Sequence, residues 1–241
     1  MTFTVTVLGC NGSFPGPGGA CSGYLLACED TRVWLDCGSG TLANLQRHVA
    51  MSDVTAVVIS HQHPDHWTDL EHLGVACRWA LGRTGVPVYA PGGLRELTRI
   101  GSAVEIFDWH DMADGDQVTI GALRLSFSQT DHPVTTLAAR IEGAGRSLGY
   151  SADSGPAWEL ASLGSGLDVA LCEATFLSDR EGSVQHLSAR QAGRTARDAG
   201  ANRLIITHLT PGVDPEAARA EAADAYGGDV AVAAIGDQFE I

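Results

Sequence analysis

Ser60-His61-Gln62-His63-Pro64-Asp65-His66 sets three imidazoles and one carboxylate within six consecutive positions, directly after the apolar run 54–59. That run reads as a buried strand that ends at Ser60. Residues two apart on an extended chain point the same way, so His61 and His63 are placed to grip one metal ion. Pro64 breaks the extended backbone, and past that turn Asp65 and His66 reach toward a second ion. No charge run surrounds the stretch, which sets it apart from an ordinary polar surface loop.

The 241 residues are 44% hydrophobic and 18% charged, which fits a single α/β domain over 1–241 rather than a disordered or fibrous chain. The chain opens on an alternating strand over 2–8, without the charged start and apolar core of a signal peptide, and no apolar run is long enough to span a bilayer. A cytoplasmic protein without membrane contact is therefore expected. Six cysteines form no CxxC pair and several lie inside apolar runs, the pattern of reduced core thiols. The formal charge is −14, and all 15 basic residues are arginines. This balance argues against stable nucleic-acid binding, which draws on dense phosphate contacts by Lys and Arg. A small anionic substrate stays open, because surface charges are screened over about 8 Å at physiological salt and a metal centre brings its own positive charge.

Upstream, the Gly/Pro/Asn segment 9–19 reads as a flexible rim and contains no GxxxxGK[ST] phosphate loop. Strands follow over 21–28 and 32–36. Asp36 ends the second in an apolar setting, where an unpaired carboxylate is costly. It reads either as the partner of a metal-binding imidazole or as a turn residue. A helix is expected over 41–51, and another after His66, where Trp67, Leu70, Leu73, Cys77 and Leu81 recur at three- and four-residue spacing as a core face. A strand over 86–90, a short helix over 92–101 and a strand over 104–108 continue the alternation of a layered α/β fold. His48, His72 and His110 read as solvated.

From 117 to 150 the pattern changes to successive strands over 118–120, 123–127, 135–141 and 147–150, with turns at Gly121-Ala122 and Gly143-Ala144-Gly145. His132 falls between two of them, Asp153 follows the last, and a strand over 204–207 delivers His208. Each lies at a strand end, where function concentrates. With the first cluster they make five His and two Asp, a number that suits two metals.

HxHxDH at His61 to His66, then His132, Asp153 in YSADSGP and His208 in THLTPG resemble, in type and chain order, the dinuclear site of the metallo-β-lactamase superfamily. The resemblance covers nearly the whole chain. It implies an αββα sandwich with the metals at the strand-end edge. It also implies that His61, His63 and His132 hold one ion, that Asp65, His66 and His208 hold the other, and that Asp153 bridges them. Zinc is the first expectation, with manganese or iron open because N/O sites accept all three.

The last third, with Glu173-Ala174-Thr175-Phe176 and His186, is similar to the branch that includes tRNA 3′-processing ribonucleases, some arylsulfatases and cyclic-nucleotide phosphodiesterases. There a Glu and a His form a pair beside the scissile phosphate. Asp65, Glu173 and His186 are thus the expected catalytic residues, with His186 as general acid held by Glu173. His66 is followed by Trp67-Thr68-Asp69-Leu70 where the tRNA enzymes have a Gly-Leu-containing run, and no long Gly- and Lys/Arg-rich arm is visible. The chain looks closer to compact bacterial cyclic AMP phosphodiesterases. Hydrolysis of a small phosphodiester is therefore expected first and tRNA processing second. Thioester or lactam hydrolysis is a third reading, and a metal-bound interaction protein without catalysis an alternative of another class. A homodimer is implied by resemblance alone. Ser188 and Gln191 form a capping-box pattern opening a helix whose N-terminus offers an anion site. Arg190, Arg194 and Arg197 share a face of that helix that reads as solvated.

Overall fold

The computed structural model describes residues 2–99 and 105–241. The first half of the chain supplies strands Phe3–Gly9 (β1), Gly23–Cys28 (β2), Thr31–Cys37 (β3), Ala56–Val58 (β4), Val86–Pro91 (β5) and Phe107–Met112 (β6). The second half supplies Gln117–Ile120 (β7), Leu123–Gln129 (β8), Leu137–Gly143 (β9), Arg146–Tyr150 (β10), Val169–Glu173 (β11), Leu204–Thr207 (β12), Val230–Val232 (β13) and Gln238–Glu240 (β14). Among the described residues these form two sheets of seven, ordered β14-β1-β2-β3-β4-β5-β6 and β13-β12-β11-β10-β9-β8-β7. β3 to β6 run parallel, as do β10 to β13, so each sheet brings several C-terminal strand ends to one edge.

Period-two alternation decides which layer each side chain enters. In β3, Val33 and Leu35 face the gap between the sheets while Trp34 points outward; in β11, Val169 and Leu171 face in while Ala170 and Cys172 face out. Each fully buried Leu or Val of this kind stabilises the fold by about 1.5–3 kcal/mol. Helices Thr41–Leu45 (α1), Asp69–Ala76 (α2) and Leu94–Leu97 (α3) cover the first sheet, with Leu45, Leu70, Leu73 and Leu94 packed on the layer that holds Trp34. Helices Ala189–Asp198 (α4) and Pro215–Tyr226 (α5) cover the second with small side chains, Ala192, Ala196, Ala218 and Ala222. Gly193 lets these two helices close, since a Cβ there would lie 2.2 Å from the Ala222 carbonyl oxygen. The result is the expected αββα sandwich. All six cysteines are free thiols and five are buried. Among the described residues no helix is long and apolar enough to cross a membrane.

Several expected elements differ at their ends. The helix expected over 41–51 stops at Leu45, and Ala50 is already extended, which lets Val54 enter the core at the start of the site strand. The helix after His66 starts at Asp69 and passes into a π-helical turn, Cys77–Leu81, whose wider winding rotates the apolar stripe. Leu81, read as core, is consequently 37% exposed. The helix expected over 92–101 closes after one turn, at Leu97, and its last two positions lie outside the described residues. The strand expected over 104–108 is β6, which runs on to Met112 because β5 pairs with it as far as Pro91; Val104 lies outside the described residues.

Candidate active site

β4 ends at Val58, and the chain runs on through His61 to His63, whose backbone is extended. Pro64 then opens a 3-10 turn, Pro64–His66, that swings Asp65 and His66 around. His132 lies in the turn after β8, Asp153 follows β10, Glu173 ends β11, and His208 follows β12. Asp36, Ala152 and His208 have φ of 54°, 51° and 60°. Left-handed backbone costs an L-residue about 1–2 kcal/mol; Ala152 and His208 mark the bends just past the ends of β10 and β12, while Asp36 lies at a register shift within β3, between Leu35 paired to Tyr24 and Cys37 paired to Gly23.

The seven expected donors converge in two sets. In the first, His63 Nδ1 lies 3.1 Å from His61 Nε2 and 3.0 Å from His132 Nε2. Asp153 Oδ2 is 3.5 Å from His61 Nε2 and 3.9 Å from His132 Nε2. In the second, His66 Nε2 and His208 Nε2 are 3.3 Å apart, and Asp65 Oδ2 is 3.6 Å and 3.4 Å from them. Asp153 Oδ1 is 3.3 Å from each of these two nitrogens. One carboxylate therefore divides its oxygens between the two sets.

The donor chemistry fits divalent ions. Bonds of about 2.0–2.1 Å in a tetrahedron put neighbouring ligand atoms about 3.3 Å apart, and imidazole nitrogen with carboxylate oxygen is the ligand set zinc prefers. Asp153 is 2% exposed, and its Oδ1 has no aligned hydrogen bond among the described residues. A buried carboxylate oxygen in that position is costly unless a cation faces it. Burial holds His61, His63 and His132 below the usual imidazole range, which keeps their lone pairs free. Burial acts to raise Asp65 and Asp153, but the surrounding imidazoles prevail and both are held low. His66 runs the other way: burial lowers it, Asp153 and Asp36 outweigh burial, and a cation entering this set displaces a proton.

A second layer fixes the rings from behind. Asp36 is fully buried and accepts from the Ser60 N–H (2.7 Å), the Ser60 hydroxyl (2.9 Å) and the Tyr150 hydroxyl (2.6 Å), and it faces His66 Nδ1 at 2.8 Å. His61 Nδ1 meets the Ser60 hydroxyl at 3.0 Å, and His132 Nδ1 meets the Gln185 carbonyl at 3.2 Å. Such partners set the tautomer and orientation of a ligating imidazole.

Glu173 and His186 form a pair beside both sets. His186 Nδ1 is 3.0 Å from Glu173 Oε1 and 4.0 Å from Asp153 Oδ2. Burial acts to lower His186, but the Glu173 charge and hydrogen bond push it up to about 9. Among the described residues no hydrogen bond engages its Nε2. The ring edges a cleft of about 370 Å³ that also touches His63 and His132 and continues along Phe176, Arg180 and Val184. A larger hollow of about 660 Å³ between Arg197 and Tyr226 touches none of these donors.

Segment 9–19 is built into the site rather than being a loose rim. The Gly12 N–H donates to the Leu209 carbonyl at 3.0 Å, and a Cβ on Gly12 would lie 2.4 Å from the His208 carbonyl oxygen. The Ser13 N–H donates to Asp65 Oδ2 at 2.8 Å. The expected anion site at the start of α4 is already spent: Ser188 and Gln191 cap each other, the Ala189 N–H donates to Phe176, and Glu181 accepts from both Ser188 and Arg190. Arg190, Arg194 and Arg197 are exposed, with Arg197 paired to Asp198. His48 is exposed, while His72 and His110 pair with Asp69 and Asp108 away from the site. Ser13, Thr175 and Arg180 carry no sequence signal of their own; only EATF flagged the neighbourhood of Thr175.

Residues 31–209 match the pattern of a β-lactamase superfamily domain. The uncharacterised protein Rv1339 of Mycobacterium tuberculosis is 36% identical over 255 residues, covering 100% of this chain and 93% of the relative. The probable metallo-hydrolase YhfI of Bacillus subtilis is 32% identical over 246 residues, 98% of this chain and 99% of YhfI. The YhfI crystal structure superposes with a TM-score of 0.91 at 30% identity, covering 100% of both chains. Ribonuclease Z of Methanopyrus kandleri is 28% identical over 257 residues, 91% of each chain.

Proposed function

Because this chain belongs to the β-lactamase superfamily, we propose that it is a dinuclear metal-dependent phosphodiesterase acting on a small phosphodiester, above all a 3′,5′-cyclic nucleotide such as cyclic AMP. The observation that carries the reading is the Glu173–His186 pair at 3.0 Å, set beside two donor sets that share Asp153. His61, His63 and His132 would hold one ion, Asp65, His66 and His208 the other, with Asp153 between them; zinc comes first, with manganese or iron as substitutes. Paired divalent ions, when bound, lower the pKa of water and stabilise charge on a phosphoryl group in the transition state. Asp65 takes part in the reaction as ligand and as acceptor of the Ser13 N–H.

The protein's own contribution to bond cleavage is a placed proton. Glu173 takes the Nδ1–H of His186 and favours the charged ring, leaving Nε2–H to protonate a departing alkoxide. A thioester makes less use of such a donor, since a thiolate departs without a proton. Nucleotide size agrees with the cleft, whose volume of about 370 Å³ lies in the range of about 300–1,000 Å³ usual for small-ligand sites. Its outer wall suits a base: Val184 is apolar and exposed, and the Arg180 guanidinium carbon stands 6.0 Å over the buried Phe176 ring, without an ion pair among the described residues.

Processing of tRNA 3′ ends is the competing reading, favoured by the name of the Methanopyrus kandleri relative. The −14 charge weighs against it, since a long RNA is held by many phosphate contacts. A panel of cyclic AMP, cyclic GMP, a linear dinucleotide, precursor tRNA and a thioester with metal-loaded protein tests the reading. Turnover of a cyclic nucleotide is expected; efficient cutting of precursor tRNA at physiological salt with cyclic AMP left intact would replace it.

A further inference from the structure

Thr175 sits where the two halves of the site meet. It lies two residues past the end of β11, 4% exposed, and its carbonyl accepts the Thr210 N–H at 3.2 Å, two residues past His208. Its Oγ1 is 2.6 Å from Glu173 Oε2, 2.9 Å from His208 Nδ1 and 3.2 Å from His186 Nδ1. A hydroxyl has one proton and two lone pairs. The Glu173 carboxylate receives donors only: the Ser154 N–H at Oε1 (2.6 Å), His186 at Oε1, and the Thr175 hydroxyl at Oε2. With its single proton given to Glu173, Oγ1 can meet His208 Nδ1 only as an acceptor, so that nitrogen carries the hydrogen. A neutral imidazole bears one N–H, which leaves Nε2 bare. That Nε2 is the atom 3.3 Å from Asp153 Oδ1 and 3.4 Å from Asp65 Oδ2.

We propose that Thr175 is a positioning residue whose hydroxyl locks His208 in the Nδ1–H tautomer, aiming Nε2 into the second donor set and tying that set to the Glu173 that holds His186. The inference rests on the metal placement proposed above and not on the substrate. It also sets aside the third grouping of possible ligands, Glu173, His186 and His208. In that grouping the Nδ1 atoms of His186 and His208 carry hydrogens toward Glu173 and Thr175, so neither offers a lone pair to an ion there.

The test uses the full-length protein as wild type, Thr175→Val and Thr175→Ser, titrated with Zn²⁺ against a chromophoric chelator. Long-range ¹H–¹⁵N imidazole spectra of the zinc-loaded protein, assigned with His208→Gln, accompany it. The Val variant keeps the shape and loses the hydroxyl. One of two zinc sites should weaken by about 10–100-fold, the usual cost of losing an outer partner of a ligand, while the other is unchanged. Thr175→Ser should restore it, and His208 should carry its proton on Nδ1. Unchanged affinities in the Val variant, a Ser variant as impaired as the Val variant, or a His208 proton on Nε2 would each overturn the lock. So would fewer than two zinc sites in the wild type. Should the Val variant fail to fold, the Ser variant and the wild-type spectra still decide. A protein that meets these expectations yet cleaves no phosphodiester would sink the functional reading and leave the Thr175 assignment standing.

Discussion

The two donor sets share Asp153 but are braced by different chemistry. Behind the first stand the Ser60 hydroxyl, which links His61 to a carboxylate, Asp36, only indirectly, and the Gln185 carbonyl at His132, and His63 borders the open cleft. Behind the second stand carboxylates: Asp36 directly on His66, and Glu173 through Thr175 on His208. A carboxylate behind an imidazole raises its basicity and strengthens it as a ligand. The second set therefore has a carboxylate directly behind one of its rings, and the first is the set that touches the cleft. One fold edge thus carries two sites of unequal character although their donor atoms are nearly the same.

The strongest way to break this picture is to remove what the two sets share. Asp153→Ala should lower metal content in fully loaded protein from two to at most one, and should cut turnover by about 10⁴-fold, the several kcal/mol that a metal pair supplies. Elemental analysis decides it; two ions retained would end the bridging role. Next in size, His186→Ala should leave metal content and fold intact while lowering kcat by about 10²–10⁴ on a substrate with an alkoxide leaving group. Bis-nitrophenyl phosphate should suffer far less, because nitrophenolate departs without a proton. Equal losses on both substrates, or loss of metal, would take His186 out of the chemistry and reduce it to packing on Glu173.

The contrast between the sets is sharpened by Asp36→Asn. One of the two zinc affinities should fall by about 10–100-fold while the other holds. An equal fall in both would mean that the carboxylate braces the whole site and that the asymmetry is not real. The smallest expected effect is at the cleft wall. Arg180→Ala should raise KM for a cyclic nucleotide by about tenfold, the worth of one charged contact of about 1.4 kcal/mol, with kcat nearly unchanged. A change confined to kcat would mean that Arg180 acts on the reacting centre and not on binding.

Much of this architecture is written in short windows of the chain. Alternation in β3 and β11 assigns the sandwich layers, and the spacing of Leu70, Leu73 and Cys77 places the buried face of α2 and of the π-helical turn that continues it. Asp36 betrays its role because a carboxylate in an apolar setting must find a donor. Element ends are less legible: nothing near Leu81 announces a π-helical turn, and α1 is shaped partly by Asp69, which accepts the Leu42 N–H from 27 positions away. Arg190, Arg194 and Arg197 show how a plausible helical face stays empty of function once Glu181 and Asp198 take up two of its charges.

By itself the sequence determined the donor inventory, the strand ends that carry it and the layered fold, because periodicity, a proline after HxH and the cost of buried charge all act over a few residues. Which donors meet was implied by the resemblance in residue type and chain order, and the structure brings the same two sets together; what stands behind them only the tertiary structure decided. Ser13 reaches Asp65 across 52 positions, Tyr150 reaches Asp36 across 114, and His208 reaches Asp65 across 143. Contacts of that range depend on how two sheets pack and on the left-handed backbone at Asp36, Ala152 and His208, and no local pattern encodes them. The same holds for Thr175, whose single hydroxyl proton has a role only once Glu173, His186 and His208 have been folded around it.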